Sequence, residues 1–237
     1  MSNLSMRVWN QDIVRFMLDA SDKSNYFNEL AKIVAQKTQG AKNICDCGCG
    51  LGQLSLALSS YFDKVYGIDV SENAIKVFKE HYCKAENIVP IQADFFDYQV
   101  QDKFESLVFN HFGNIEQIVK LSNKLCKGKV VVIKKDYDFH RFSLGQKPLD
   151  KSYNISMPEY LDSLGIKYEQ EHISLEFGQP FRSAQDAVTF FRLYSKDENW
   201  QDIQYSDIQD RLVETEDPVF PYYMPHMKKL RVVSFDV

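Results

Sequence analysis

The stretch Ile44-Cys45-Asp46-Cys47-Gly48-Cys49-Gly50-Leu51-Gly52 limits this chain more than any other. A short apolar run leads into an acid, Asp46, and then into glycines at alternate positions. Glycine adopts positive φ without strain and lets a ligand approach the backbone closely. The next residues, Gln53-Leu54-Ser55-Leu56-Ala57-Leu58, read as a helix. Strand, glycine turn and helix form the βα unit that cradles nucleotides. The spacing narrows the choice of ligand. A dinucleotide fingerprint is G-x-G-x-x-G, and here the third glycine arrives one residue early. A phosphate loop needs Lys-Ser or Lys-Thr after its last glycine, where this chain has Gln53-Leu54. No lysine or arginine occurs between Asp46 and Ser60. With Asp46 at its entrance, the turn suits an uncharged or cationic ligand better than a phosphorylated one.

Further strand signals follow at regular intervals. Lys64-Val65-Tyr66-Gly67-Ile68-Asp69 reads as a second strand ending in an acid. An acid there can accept hydrogen bonds from both hydroxyls of a ribose. Ser71 is placed to cap the following helix. Ile88-Val89-Pro90-Ile91-Gln92 ends in Ala93-Asp94-Phe95, and Ser106-Leu107-Val108-Phe109 ends in Asn110-His111-Phe112-Gly113. Lys129–Lys134 is a fifth, β-branched strand. Residues 157–165 read as a helix closed by Gly165, residues 166–177 as a sixth strand, and residues 230–237 as the last strand. Alternation of strands with helices implies a parallel sheet with right-handed crossovers.

These strand ends, taken in order, resemble class I S-adenosylmethionine-dependent methyltransferases of the small-molecule type. Asp-x-Gly-x-Gly-x-Gly is similar to that family's first motif. The resemblance implies an α/β, Rossmann-like seven-stranded sheet with helices on both faces. It is mostly parallel, with an antiparallel seventh strand inserted between the fifth and sixth. It implies S-adenosylmethionine as cofactor and S-adenosylhomocysteine as product. Asp46, Gly48, Gly50 and Gly52 would cradle the methionine end. Asp69 and Val70 would meet the ribose, Asp94 and Phe95 the adenine, and Asn110 stands in the variable fourth motif. A single domain over residues 1–237 is expected. Its N-terminal helices, within residues 1–40, would cover the cofactor, with Trp9, Tyr26 and Phe27 as contact candidates; packing on the sheet would account for the same residues. Residues 178–229, with a helix near Ser183–Tyr194 and the aromatic stretch Pro218–Pro225, would form a lid. That lid and residues 136–156 would face the substrate.

Composition excludes several other classes. The net charge of -5 disfavours a nonspecific nucleic-acid binder. No apolar run is long enough to span a bilayer, and no basic-then-apolar leader opens the chain. These absences point to a cytoplasmic protein without a membrane partner. The five cysteines, Cys45, Cys47, Cys49, Cys83 and Cys126, form no C-x-x-C pair and lack a nearby histidine. They read as small core residues, with no metal site. A short-chain oxidoreductase is disfavoured by the glycine spacing and by the lack of a clear Tyr-x-x-x-Lys pair.

Methyl transfer from a sulfonium chiefly needs alignment, which can lower a barrier by roughly 7–11 kcal/mol. A base matters only where the acceptor must lose a proton. His111 is the candidate catalytic residue, as base or as substrate orienter, because ligands collect where the fourth strand ends. A purely structural role is its alternative. His140, Tyr137 and Arg141 follow the fifth strand and can face the same pocket; His172 reads as structural. Asn110-His111-Phe112-Gly113 departs from the Asn/Asp-Pro-Pro-Tyr of methyltransferases acting on DNA adenine or protein glutamine. The acidic balance favours a small organic acceptor, held by stacking on Phe112, Tyr222 and Tyr223, although those rings could equally be lid core. A methyltransferase acting on RNA or protein, or a cofactor-binding module without transfer activity, is the alternative. Nothing in the sequence names the acceptor atom or the oligomeric state.

Overall fold

A computed structural model describes residues 9–83, 85–145, 147–148 and 152–237, with the side chains of residues 152–156 left aside. Two helices, α1 (Gln11–Lys23) and α2 (Tyr26–Lys37), precede β1 (Asn43–Cys47). The chain then alternates through α3 (Gln53–Leu58), β2 (Lys64–Asp69), α4 (Glu72–His81), β3 (Ile88–Gln92), β4 (Phe104–Asn110), α5 (Ile115–Leu125) and β5 (Cys126–Lys135). It continues with α6 (Ser152–Ser163), β6 (Tyr168–Glu176), β7 (Gln179–Phe181), α7 (Ala184–Tyr194), β8 (Val213–Glu214), β9 (Tyr222–Met224) and β10 (Met227–Asp236).

Local chemistry sets several boundaries. The Ser71 side chain accepts from the Ala74 amide at the start of α4, as its sequence position predicts. Asn114 and Gln117 form a reciprocal capping box on α5. Each such cap stabilises a helix by about 1 kcal/mol. Helix α6 begins at Ser152, earlier than the expected 157, and carries Pro158 within it. It stops where expected: Gly165 takes φ +68° and its amide bonds the Asp162 carbonyl.

The main sheet has seven strands in the order β3-β2-β1-β4-β5-β10-β6. Only β10 runs against its neighbours, pairing antiparallel with β5 and β6. This is the doubly wound sheet that the sequence pattern implies, with the last strand in the expected slot. Strand alternation sorts side chains between two faces. Cys45, Cys47, Leu107, Phe109, Val130, Val132, Val233 and Phe235 pack with α5 and α6 on one face. Ile44, Val108, Val131, Ile133, Leu230 and Val232 pack with α2 and α3 on the other. Cys45, Cys47 and Cys126 are buried among these apolar residues, and Cys49 is buried against Ile75 and Phe78 of α4.

Residues 177–226 leave the end of β6 and return at the start of β10. Because β6 runs parallel to β5 and β10 opposes both, the excursion departs from and returns to the sheet's C-terminal edge. It has more structure than its sequence suggests. Alongside α7, the short strands β7, β9 and β8 form a second sheet. Phe181, Phe190, Phe191, Ile203 and Ile208 build a separate apolar core, into which Phe16 of α1 is inserted. Paired charges fix this unit to α1: Arg15 to Asp186 at 2.6 Å and Arg182 to Asp19 at 2.6 Å.

Candidate active site

The glycine turn after β1 is held by backbone and carboxylate together. Gly48, Gly50 and Gly52 all have positive φ, between 56° and 89°. The amides of Gly48 and Cys49 donate to the Ile68 carbonyl, so the turn is tied to the end of β2. Asp69 completes the tie. One carboxylate oxygen accepts from the Gly50 amide and the other from the Ser71 amide, both at 2.9 Å. Asp69 thus organises the turn and starts α4 from one position, at the very strand end where a ribose-binding acid is expected.

Asp46 behaves differently from its expected role. It is an even-numbered residue of β1 and therefore points to the face covered by α3. There it is 1% exposed, and its carboxylate accepts from the Ser55 hydroxyl at 2.7 Å. Burial, with Asp69 nearby, pushes its pKa up to about 7, against the hydrogen bond from Ser55. The side chain anchors α3 beneath the turn.

At the end of β4, the Asn110 side-chain oxygen is buried and without a hydrogen-bond partner. His111 adopts φ 60°, the only positive φ outside glycine among the described residues, and its amide donates to the Ile133 carbonyl at 2.9 Å. Left-handed backbone at a histidine is uncommon, and such conformations cluster at functional sites. Lys134 of β5 supports this bend. It is 2% exposed, and its ammonium donates to the carbonyls of Phe112 and Gly113, both at 2.7 Å. Burial brings its pKa down to about 7.

Two aromatic rings close over the turn. A methyl group added to Gly48 would lie 2.6 Å from the Phe112 ring, and one added to Gly50 would lie 2.8 Å from the Trp9 ring. Phe112 itself packs near parallel to Phe109 and edge-on to Phe95. The structure therefore brings Gly48, Gly50, Asp69, Asn110, His111, Phe112 and Trp9 to one edge of the sheet.

Other expected site residues stand elsewhere or do other work. Phe95 is buried in the core beneath Phe112. Asp94 accepts from the Phe96 amide and shapes its own turn. Val70 is 46% exposed beside Asp69. Tyr26 packs on Phe177 and Phe27, near the ends of β6 and β10, while Trp9 is the N-terminal aromatic that meets the glycines. Tyr223 sits in β9 with its hydroxyl on Glu176, and Tyr222 lies against Tyr205. Both are part of the small sheet. His172 is paired with Asp136 at 2.7 Å on an exposed edge. His140 bonds Ser143 at 3.1 Å, and burial lowers its pKa. Lys134 and His226 were not distinguishable in the sequence; an apolar β-strand ending in lysine offers the first no signature beyond its position.

Residues 44–127 match a family model described as a methyltransferase domain. The YcgJ protein from Bacillus subtilis has the same fold, with a TM-score of 0.55 and 12% identity over 88% of this chain and 97% of that one. The plantazolicin methyltransferase BpumL, solved with S-adenosylhomocysteine, gives 0.54 and 13% over 96% and 91%. A precorrin 8W decarboxylase from Methanobacterium thermoautotrophicum gives 0.51 and 14% over 88% and 90%. No curated protein sequence matches the chain. The segment from β1 to the start of β5 thus matches a methyltransferase domain, and the fold around it is the one these solved structures share. Among the described residues, no helix is long and apolar enough to cross a membrane.

Proposed function

We propose that the protein methylates a small organic acceptor, bound over the ends of β4 and β5 beneath the 177–226 excursion. The observation that carries this reading is the return of that excursion, with its own aromatic core, to the edge where His111 and the glycine turn lie. A roofed edge suits a compact acceptor, and the acidic balance gives RNA little to hold.

The cofactor residues fit their group. Three positive-φ glycines leave room for close approach, Asp69 offers carboxylate oxygens at the ribose position, and the Asn110 oxygen is a buried acceptor awaiting a donor. When bound, S-adenosylmethionine supplies a methyl group already activated by its sulfonium. The chain's own work is placement. Trp9 and Phe112 shield the turn from water, turning aside to admit a ligand against Gly50 and Gly48. Lys134 fixes the carbonyls on either side of the Phe112–Gly113 bond and so holds His111 in its left-handed bend. His111 then orients the acceptor and takes its proton where one must leave. Asp94, Phe95 and Val70 remain in the proposed adenosine site, Asp94 and Phe95 through the turn they build and Val70 through its exposed surface. Helices α1 and α2 and residues 178–229 act as the cover within one domain, in which Tyr26 supports α2. A cytoplasmic setting accords with this reading.

The test is release of S-adenosylhomocysteine from purified protein supplied with a panel of small amines, phenols, thiols and carboxylic acids, alongside bulk RNA and a denatured protein mixture. Turnover on small molecules alone supports the proposal. Turnover on RNA or protein alone refutes it, and cofactor binding without turnover on any class favours a binding module.

A further inference from the structure

Beyond the end of β5, side chains from separate parts of the chain enclose a polar cluster: Tyr137 and Arg141 after β5, Tyr26 at the start of α2, and His226 just before β10. The Tyr26 residue is 1% exposed, and its hydroxyl is buried with no hydrogen-bond partner. The Arg141 Nε is likewise buried with no partner. The guanidinium lies 4.1 Å from the centre of the Phe142 ring, hydrogen-bonds Tyr137, and is close enough to Tyr26 and Tyr194 to interact with them electrostatically. Among the described residues no carboxylate pairs with Arg141. The nearby acids are engaged elsewhere: Asp136 with His172 and Arg231, and Glu176 with the Gly178 amide and Tyr223.

The surroundings are otherwise cationic. The Lys228 ammonium sits 4.5 Å from the centre of the Tyr26 ring. His226 is held neutral, its pKa brought down to about 3 by burial and by Arg141 and Lys228. Its Nε2 is hydrogen-bonded to the Tyr137 hydroxyl at 2.7 Å, while the Lys229 amide donates to the same oxygen at 3.1 Å. An enclosed arginine without a carboxylate is costly, because burying a charge requires a partner of opposite sign. Two buried polar atoms lack partners in this cluster, the Tyr26 hydroxyl and the Nε of a permanent cation, and among the described residues no carboxylate offsets that charge.

We infer that this cluster is the binding subsite for a carboxylate, or an oxyanion of similar geometry, on the methyl acceptor: Arg141 takes the charge and Tyr26 donates a hydrogen bond. The inference rests on the methyltransferase reading and narrows its acceptor class. Strand β5 lies next to β4 in the sheet, so an acid held here extends one strand across to His111. Planar guanidinium and carboxylate match in a forked pair, which fixes orientation as well as affinity.

The test uses acetate and its neutral isostere acetamide as probes, at constant ionic strength held with sodium chloride, on the full chain. Thermal unfolding is followed for the wild type, Arg141→Met, Arg141→Lys and Tyr26→Phe, with S-adenosylhomocysteine titrated in parallel. Saturable stabilisation of the wild type by acetate and not by acetamide is expected. Arg141→Met should abolish it, Tyr26→Phe should weaken the apparent affinity several-fold, and Arg141→Lys should retain part. Equal responses to acetate and acetamide in the wild type would overturn the subsite whether or not any variant folds, as would an undiminished acetate response in folded Arg141→Met. If S-adenosylhomocysteine binds while acetate does not, only this inference falls. If S-adenosylhomocysteine fails to bind the wild type, the methyltransferase reading falls with it.

Discussion

Removing the charge of Asp46 should change how stability depends on pH. Its carboxyl is fully enclosed beneath α3, with a pKa of about 7 in the folded protein against an ordinary 3.8. Below about pH 4 both folded and unfolded chains carry the proton, and the group favours neither. Between 4 and 7 the unfolded chain has lost it while the folded chain retains it, so stability falls as pH rises. Above about 7 both are ionised and the full penalty of a buried charge is present. At 1.36 kcal/mol per pH unit, that penalty is at most about 4 kcal/mol. Asp46→Asn keeps an oxygen to accept from Ser55 but cannot ionise. Its extra amide hydrogens impose a cost of their own, of about 1–3 kcal/mol if left unpaired, and that cost does not vary with pH. The informative quantity is the difference in unfolding free energy between variant and wild type, measured by urea denaturation from pH 4 to 8.5. Subtraction cancels the titration of every other carboxyl. The difference should move in favour of the variant by about 2–4 kcal/mol across this range, with its midpoint between the two pKa values. A flat difference, or one moving towards the wild type, would refute the burial of an ionisable Asp46.

Three further perturbations follow from the same geometry. Gly50→Ala places a methyl group 2.8 Å from the Trp9 ring at a φ of 56°; the backbone strain alone is about 1–2 kcal/mol. Affinity for S-adenosylhomocysteine by calorimetry should fall at least tenfold, and an unchanged affinity would remove the turn from the cofactor site. His111→Asn preserves tolerance of the left-handed backbone while deleting the imidazole. It should lower turnover with a true acceptor by about 10²–10⁴-fold, with S-adenosylhomocysteine affinity little altered; equal turnover would exclude a catalytic role. Lys134→Met leaves the carbonyls of Phe112 and Gly113 without their donor. Hydrogen exchange at the amides of residues 111–113 should accelerate without global unfolding, and unchanged protection would show that the loop holds itself.

The sheet was legible in the sequence because a half-buried or buried strand needs a run of apolar residues, and a crossover helix needs room between such runs. Val130–Ile133 can hardly be anything but a central strand, and the four strand ends before it give the topology its order. The small sheet of the excursion was not legible. Strands of two or three residues, such as Val213–Glu214, have no period to detect, and Pro180 interrupts the only apolar hint in β7. The glycine turn was legible as a turn with positive φ, yet the direction of Asp46 was not read. Strand parity alone would have supplied it: a residue between Cys45 and Cys47 must face opposite to them, and the helix that follows the turn must cover one of those faces.

The candidate acceptor residues divide in the same way. Their positions after β4 and β5 follow from where a parallel sheet collects ligands, so His111, Tyr137 and Arg141 could be singled out by location. Their partners could not. Tyr26 and His226 are separated from Arg141 by 115 and 85 positions, and only the insertion of β10 between β5 and β6 brings all three to one space. Among the described residues the cluster has no acid of its own. Glu176 and Asp136, which flank the same edge, are drawn off by Gly178 and Tyr223 on one side and by His172 and Arg231 on the other. A cation left enclosed by the topology, with each neighbouring anion already committed, is a stronger indication of a missing ligand than the arginine would be in isolation. In the subsite inferred above, the charge that completes it arrives with the substrate.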